Sequence, residues 1–312
     1  MLTRTAGALY RVGRCVERAD DSAAVLAEVL HLLAAAGASG ADQPARSLLA
    51  VLGAPAPIAD RDGRLPDARA LATALVWDRG TACSVASSVA RARDSARGVR
   101  EVLSVAMWEC LNVTAALPEP GPGAGGADRR AERGRAGQHR YLALVRDRAA
   151  MFAGLADSTI ARDDGWRFLL LGRALERAET GTRLLAARAA GGPGAPDRST
   201  VLRCVGGLEV FLRASGRVSD EGAVVRFLAV ERAFPRSLLH ALALAEDSLA
   251  GLAAGPAAPT ALRLVRRARS ELECADPAGP ATDLPDRLAA LSRDLADIGD
   301  AVTAEYLDVG PG

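Results

Sequence analysis

One helical stretch occurs twice in this chain. Residues 9–26 and 168–185 align without a gap: Gly13, Arg14, Glu17, Arg18 and Ala19 match Gly172, Arg173, Glu176, Arg177 and Ala178. Asp20 answers Glu179 and Leu26 answers Leu185. A repeat at such separation points to duplication of a helical half, and it constrains the fold more than any compositional figure. In each copy the first arginine, the glutamate and the second arginine stand at i, i+3 and i+4, so they share one helix face.

In the first copy that face lies roughly opposite the stripe of Leu9, Val12, Val16, Ala23 and Leu26. The plain reading there is a solvated face whose ion pair contributes at most about 0.5 kcal/mol. The second copy reads differently. Leu169, Leu170 and Leu184 lie on the same side as Arg173, Glu176 and Arg177, with Trp166 just upstream. A helix apolar nearly all round is a buried helix, and a buried glutamate between two arginines must be paired. Two roles stay open: a structural network joining two halves, or a cleft in which Arg14, Arg18, Arg173 and Arg177 grip a peptide carboxylate or a nucleotide.

The rest of the chain predicts an all-α fold. Ala, Leu and Arg dominate, aromatics are 4% of the 312 residues, and 49% of the chain is hydrophobic, enough for a sizeable core. Apolar positions recur at helical spacing over 3–36, 45–52, 66–77, 81–116, 139–156, 158–190, 199–215, 221–230, 235–252, 259–274 and 284–307. Short connectors make an antiparallel bundle the economical arrangement. A Gly/Pro/Arg-rich loop over 118–137 separates pseudo-repeat halves 1–117 and 138–308 within one domain, 1–312.

Several chemistries are disfavoured. The formal net charge is +1, from 39 basic and 38 acidic residues, which does not suit a phosphate-backbone binder. No lysine occurs, so neither a phosphate-loop lysine nor a Schiff base is available. Cys15, Cys83, Cys110, Cys204 and Cys274 form no C-x-x-C pair, and no metal or cofactor is expected. Glu28 and His31 have di-iron spacing, but neither His139 nor His240 has the matching glutamate. Cys15, beside Arg14, is the thiol with the best prospect of a lowered pKa. No apolar run reaches membrane-spanning length and no signal segment is evident, so the cytoplasm is the expected location.

The chain resembles the alpha-E domain family, a bacterial all-helical group. The opening 1–6, then Leu9-Tyr10-Arg11-Val12-Gly13-Arg14 and Glu17-Arg18-Ala19-Asp20, carry the likeness. So do Ala92-Arg93-Asp94-Ser95-Ala96-Arg97, Met107-Trp108-Glu109-Cys110, Arg162-Asp163-Asp164-Gly165-Trp166-Arg167, the second motif, and Phe234-Pro235-Arg236-Ser237. Arg11, Ala106 and the Glu231-Arg232 pair depart from the family's usual Trp, acidic residue and Asp-Pro. The resemblance implies partnership with an ATP-grasp-type ligase or a transglutaminase-like protein in peptide or amide chemistry. It adds Tyr10, Trp108, Glu109, Arg162, Asp163, Trp166 and Arg236 as secondary candidates beside the motif residues. The role open to the chain is then an accessory or interaction protein, an enzyme using Glu17 or Glu176 as acid/base, or a purely structural helical protein.

Overall fold

A computed structural model describes residues 3–35, 42–54, 67–117, 127–192, 195–218, 220–252, 259–274 and 283–307, and these residues contain helices and no strand. In chain order the helices are α1 (Thr3–Ala35), α2 (Asp42–Val51), α3 (Ala68–Trp77), α4 (Val85–Arg97) and α5 (Val105–Ala115). They continue with α6 (Ala127–Thr159), α7 (Asp164–Ala189), α8 (Arg198–Cys204), α9 (Leu208–Ser215) and α10 (Glu221–Val230). The last are α11 (Leu238–Leu252), α12 (Thr260–Cys274) and α13 (Leu284–Val302). None of the described helices is long and apolar enough to cross a membrane.

Local chemistry sets boundaries that apolar periodicity alone does not resolve. The run expected over 81–116 is two helices, because Ser104 caps α5 by accepting from the Met107 amide at 3.2 Å. The run 158–190 likewise divides at 160–163. Asp163 caps α7 by accepting from the Trp166 amide. The stretch 199–215 breaks at Gly206, whose positive φ of 64° suits glycine. The expected loop over 118–137 is helical from Ala127 onward, because its Ala, Arg and Glu are strong helix formers that carry Gly134 and Gly137. The arginine cluster at 129–135 has side chains outside the described set, Gly134 aside.

At the centre lie α1 and α7, packed on each other more extensively than any other pair. Each is then flanked in the same way: α1 by α4 and α6, α7 by α11 and α13. Gly13 faces Leu169 and Arg173, and further along α1 Asp21 and Val25 border one space with Arg177, Thr180 and Leu184. The two helices therefore run in the same direction. The antiparallel arrangement expected of neighbours does not extend to this pair, since a long stretch of chain, not a short turn, connects them. Leu9, Leu26, Leu169, Leu171 and Leu175 are all sealed here, each stabilising by roughly 1.5–3 kcal/mol.

Candidate functional site

The close approach of α1 and α7 starts at two glycines. A Cβ on Gly13 would lie 2.1 Å from the Leu169 carbonyl oxygen, and one on Gly172 would lie 2.2 Å from that of Tyr10. The helix backbones touch at this point, and only glycine at both positions permits it. Side chains from the next turn of each helix must therefore reach across to the other.

They do so reciprocally. Arg18 donates through Nε and Nη2 to the two oxygens of Glu176, each at 2.7 Å, and Arg14 Nε lies 2.7 Å from the same carboxylate. In return, Arg177 Nε donates to Glu17 at 2.7 Å and Arg173 Nε at 3.1 Å. Each glutamate is thus bonded by the two motif arginines of the opposite copy and not by those of its own. A third arginine completes each set at 3.8 Å: Arg183 for Glu176 and Arg236 for Glu17. Both motif glutamates are buried, Glu176 at 0% and Glu17 at 2% exposure, so the first motif is no solvated face.

The electrostatics follow from this crowding. Burial alone would raise the Glu17 carboxyl, but Arg177, Arg173 and Arg236 outweigh it and hold it down at about 2. Glu176 is lowered in the same way, burial being outweighed by Arg14 and Arg18. Asp21 goes the other way. Burial pushes it up to about 7, Arg236 offsets only part of this, and Glu17 and Asp20 add to the rise. Its Oδ1 accepts from Arg236, while its Oδ2 has no partner among the described residues, and the residue borders a space of about 10 Å³, the size of one water. Glu17, Asp20 and Asp21 can bring carboxylate oxygens within 4.8 Å of one another, and the cation among them is Arg236, which also donates to Asp20.

Arg236 is a secondary candidate from the sequence, and its place has a readable cause. The loop before α11 copies the loop before α4. Asp78 accepts from the Gly80 amide at 2.8 Å, and Glu231 from the Ala233 amide at 3.0 Å. Ser84 donates to the Asp78 carbonyl at 2.5 Å, and Ser237 to the Glu231 carbonyl at 2.7 Å. Each serine then caps its helix, accepting from Ser87 and His240 respectively. In sequence the signal is Asp78-Arg79-x4-Ser84 against Glu231-Arg232-x4-Ser237, and in that register Arg236 stands where Cys83 stands.

Other candidates lie apart from this network. Arg162 stacks over Trp166 at 4.3 Å and bonds Asp157, and Asp163 is spent on capping α7. Trp108 carries Arg100 over its ring, and Glu109 is exposed. Tyr10 is buried beside Arg14, and burial raises its hydroxyl pKa. The expected lowering at Cys15 is reversed, because burial raises the thiol more than Arg18 and Arg91 lower it. Glu28 accepts from Arg203 at 2.7 Å, and the His31 side chain lies outside the described residues. Sequence reading did not assign roles to Asp21, Glu179 or Arg183. A larger, mostly apolar cavity of about 250 Å³, bordered by Leu185, Val225, Leu238, Leu272 and Leu288, includes none of the motif's Arg or Glu residues.

No curated protein and no solved structure matches the chain. One family model does, over residues 1–307: Alpha-E, described as a predicted alpha-helical domain with a conserved ER motif. The chain carries Glu-Arg pairs of that kind, Glu17-Arg18 and Glu176-Arg177 among them, in an all-helical structure, and it belongs to the Alpha-E family.

Proposed function

We propose that this chain is a helical accessory or interaction protein, in which the two Arg-x-x-Glu-Arg motifs clasp duplicated halves into one rigid body. The observation that carries this reading is the reciprocal exchange: Glu17 is held by Arg173 and Arg177, and Glu176 by Arg14 and Arg18. Matching flanks support duplication. The helices α1, α3, α4, α5 and α6 have counterparts in order in α7, α10, α11, α12 and α13, which supports a seam at 160–163 as an alternative to one within 118–137. The partner is an ATP-grasp-type ligase or a transglutaminase-like protein of a cytoplasmic peptide- or amide-forming system. The family likeness alone supports that partner.

The enzymatic alternative, with Glu17 or Glu176 as acid/base, is disfavoured. A general base works best with a pKa near the operating pH, whereas Glu17 is held at about 2 and both carboxylates are sealed among arginines. The space beside Arg177 and Arg236 has room for one water and not for a peptide or nucleotide. The test is capture of the tagged full chain from its native host, with and without ATP, read by mass spectrometry. Specific recovery of such a ligase or transglutaminase-like protein supports the reading, and recovery of the chain alone counts against it.

A further inference from the structure

The two halves of the clasp are not closed equally. On one side Arg14 uses all of its donor edge: Nε meets Glu176, while Nη1 and Nη2 donate to Glu179 at 2.7 and 2.9 Å. Its counterpart Arg173 uses only Nε, on Glu17. The residue matching Glu179 is Asp20, one methylene shorter, and Asp20 is engaged by Arg236 with Arg146 at 3.8 Å. The terminal amino groups of Arg173 therefore donate to nothing among the described residues. They are not sealed either: the side chain is 17% exposed, and neither group is among the buried atoms left without a partner.

We infer that Arg173 is an open fork that binds a carboxylate from outside the chain, the C-terminal carboxylate of a small peptide being the ligand class it fits. The structure supplies the template, because Glu179 on Arg14 shows the group that fills the same edge in the other half. A planar carboxylate meets a guanidinium edge through paired charge-assisted hydrogen bonds, which a point anion or an amide does not reproduce. Glu17 remains held by Arg177 whether or not the fork is occupied, so binding leaves the clasp intact. This inference rests on reading the two motifs as equivalent halves of one clasp.

The experiment is a titration of the full chain with N-acetylglycine, with N-acetylglycinamide as the uncharged control and inorganic phosphate as a third arm, at fixed ionic strength. It is read by NMR at the arginine Nε–H signals and at the Gly13 and Gly172 amides. Saturable shifts are expected with N-acetylglycine only. They are expected to weaken at least about tenfold in Arg173→Gln, and equally in Asp20→Glu, which supplies the methylene needed to close the fork from within. An unchanged titration in Asp20→Glu overturns the assignment, as does a non-saturating wild-type response or saturation by phosphate alone. Urea melts of Glu176→Gln keep the two readings apart. Unfolding of that variant without N-acetylglycine saturation removes the open fork and leaves the clasp, whereas an indifferent melt removes the clasp itself.

Discussion

The motif on α1 and the motif on α7 share Gly, Arg, Glu and Arg, and they differ in what surrounds those residues. Glu176 receives its third arginine from its own helix, since Arg183 follows two turns later and also bonds Glu179 and the Val51 carbonyl. Glu17 receives its third arginine from a loop more than 200 residues away in sequence, as the Arg236 bonds to Asp20 and Asp21 span 216 and 215 positions. Where α7 places Thr180, α1 places the buried Asp21. The shared residues make the exchange across the helices. The unshared ones decide how each half is tied to the rest of the bundle, and the Glu17 half is tied to the start of α11.

The comparison breaks most readily at the glutamates. Glu176→Gln is expected to cost about 3–5 kcal/mol in urea-induced unfolding, because Arg14 and Arg18 lose their common partner in a dry setting. Glu17→Gln should cost a similar amount, since Arg173 and Arg177 lose their shared carboxylate while Arg236 keeps Asp20 and Asp21. A loss below about 1 kcal/mol for both would mean the pairs behave as surface ion pairs, contrary to their burial.

Next come the glycines. Gly13→Ala and Gly172→Ala each drive a methyl group against a backbone carbonyl, and each is expected to cost about 3 kcal/mol. The two values should agree closely if the crossing is as symmetric as its distances. A difference above about 1 kcal/mol, measured by the same urea melts, would show that one helix yields and the other does not.

The third arginines should separate the halves. Arg236→Met strips the cation from Glu17, Asp20 and Asp21 together and is expected to cost about 2–3 kcal/mol. Arg183→Met removes contacts of 3.8 Å to Glu176 and 3.4 Å to Glu179, looser than the bonds of Arg236 to Asp20 and Asp21, and should cost about 1 kcal/mol or less. Equal thermal shifts for the two would remove the claimed asymmetry.

The all-helical class, the repeat and the motif residues were legible because helical period and residue identity both survive in one sequence. Burial of the second motif was legible as well, from Leu169, Leu170 and Leu184. Burial of the first was not. The stripe of Leu9, Val12 and Val16 accounts for one face of α1, and nothing local says that the opposite face meets a second helix. Pairing across the copies, in place of pairing within each, depends on the glycine contact between α1 and α7, which is a property of two helices and not of one. The helix breaks at Ser104 and Asp163 were signalled by capping residues that apolar periodicity overran. Arg236 entered through family likeness, and the matching Asp78 and Glu231 loops supply the physical signal for it.

The pH-dependent effect is the most specific to one half. Asp21 faces Arg236 from the loop before α11, Glu17 and Asp20 from its own helix, Arg177 and Thr180 from α7, and Cys204 at the end of α8. Its carboxyl sits at about 7, raised from 3.8, so between those values the folded chain keeps a proton that the unfolded chain has released. The stability this group contributes is full below about 3.8 and is lost as pH rises through about 7. Glu17 has the opposite sign: held at about 2 against 4.5, its contribution is full above 4.5 and lost as pH falls toward 2. Asp21→Asn, which cannot titrate, should therefore gain on the parent chain by about 2 kcal/mol between pH 5 and pH 8. Thr180→Val, at the matching position of the other half, should show no such trend, since no titrating group is removed. Parallel stability–pH curves for Asp21→Asn and the parent chain would mean that Asp21 is already ionised at pH 5, and that Arg236 balances its charge in full.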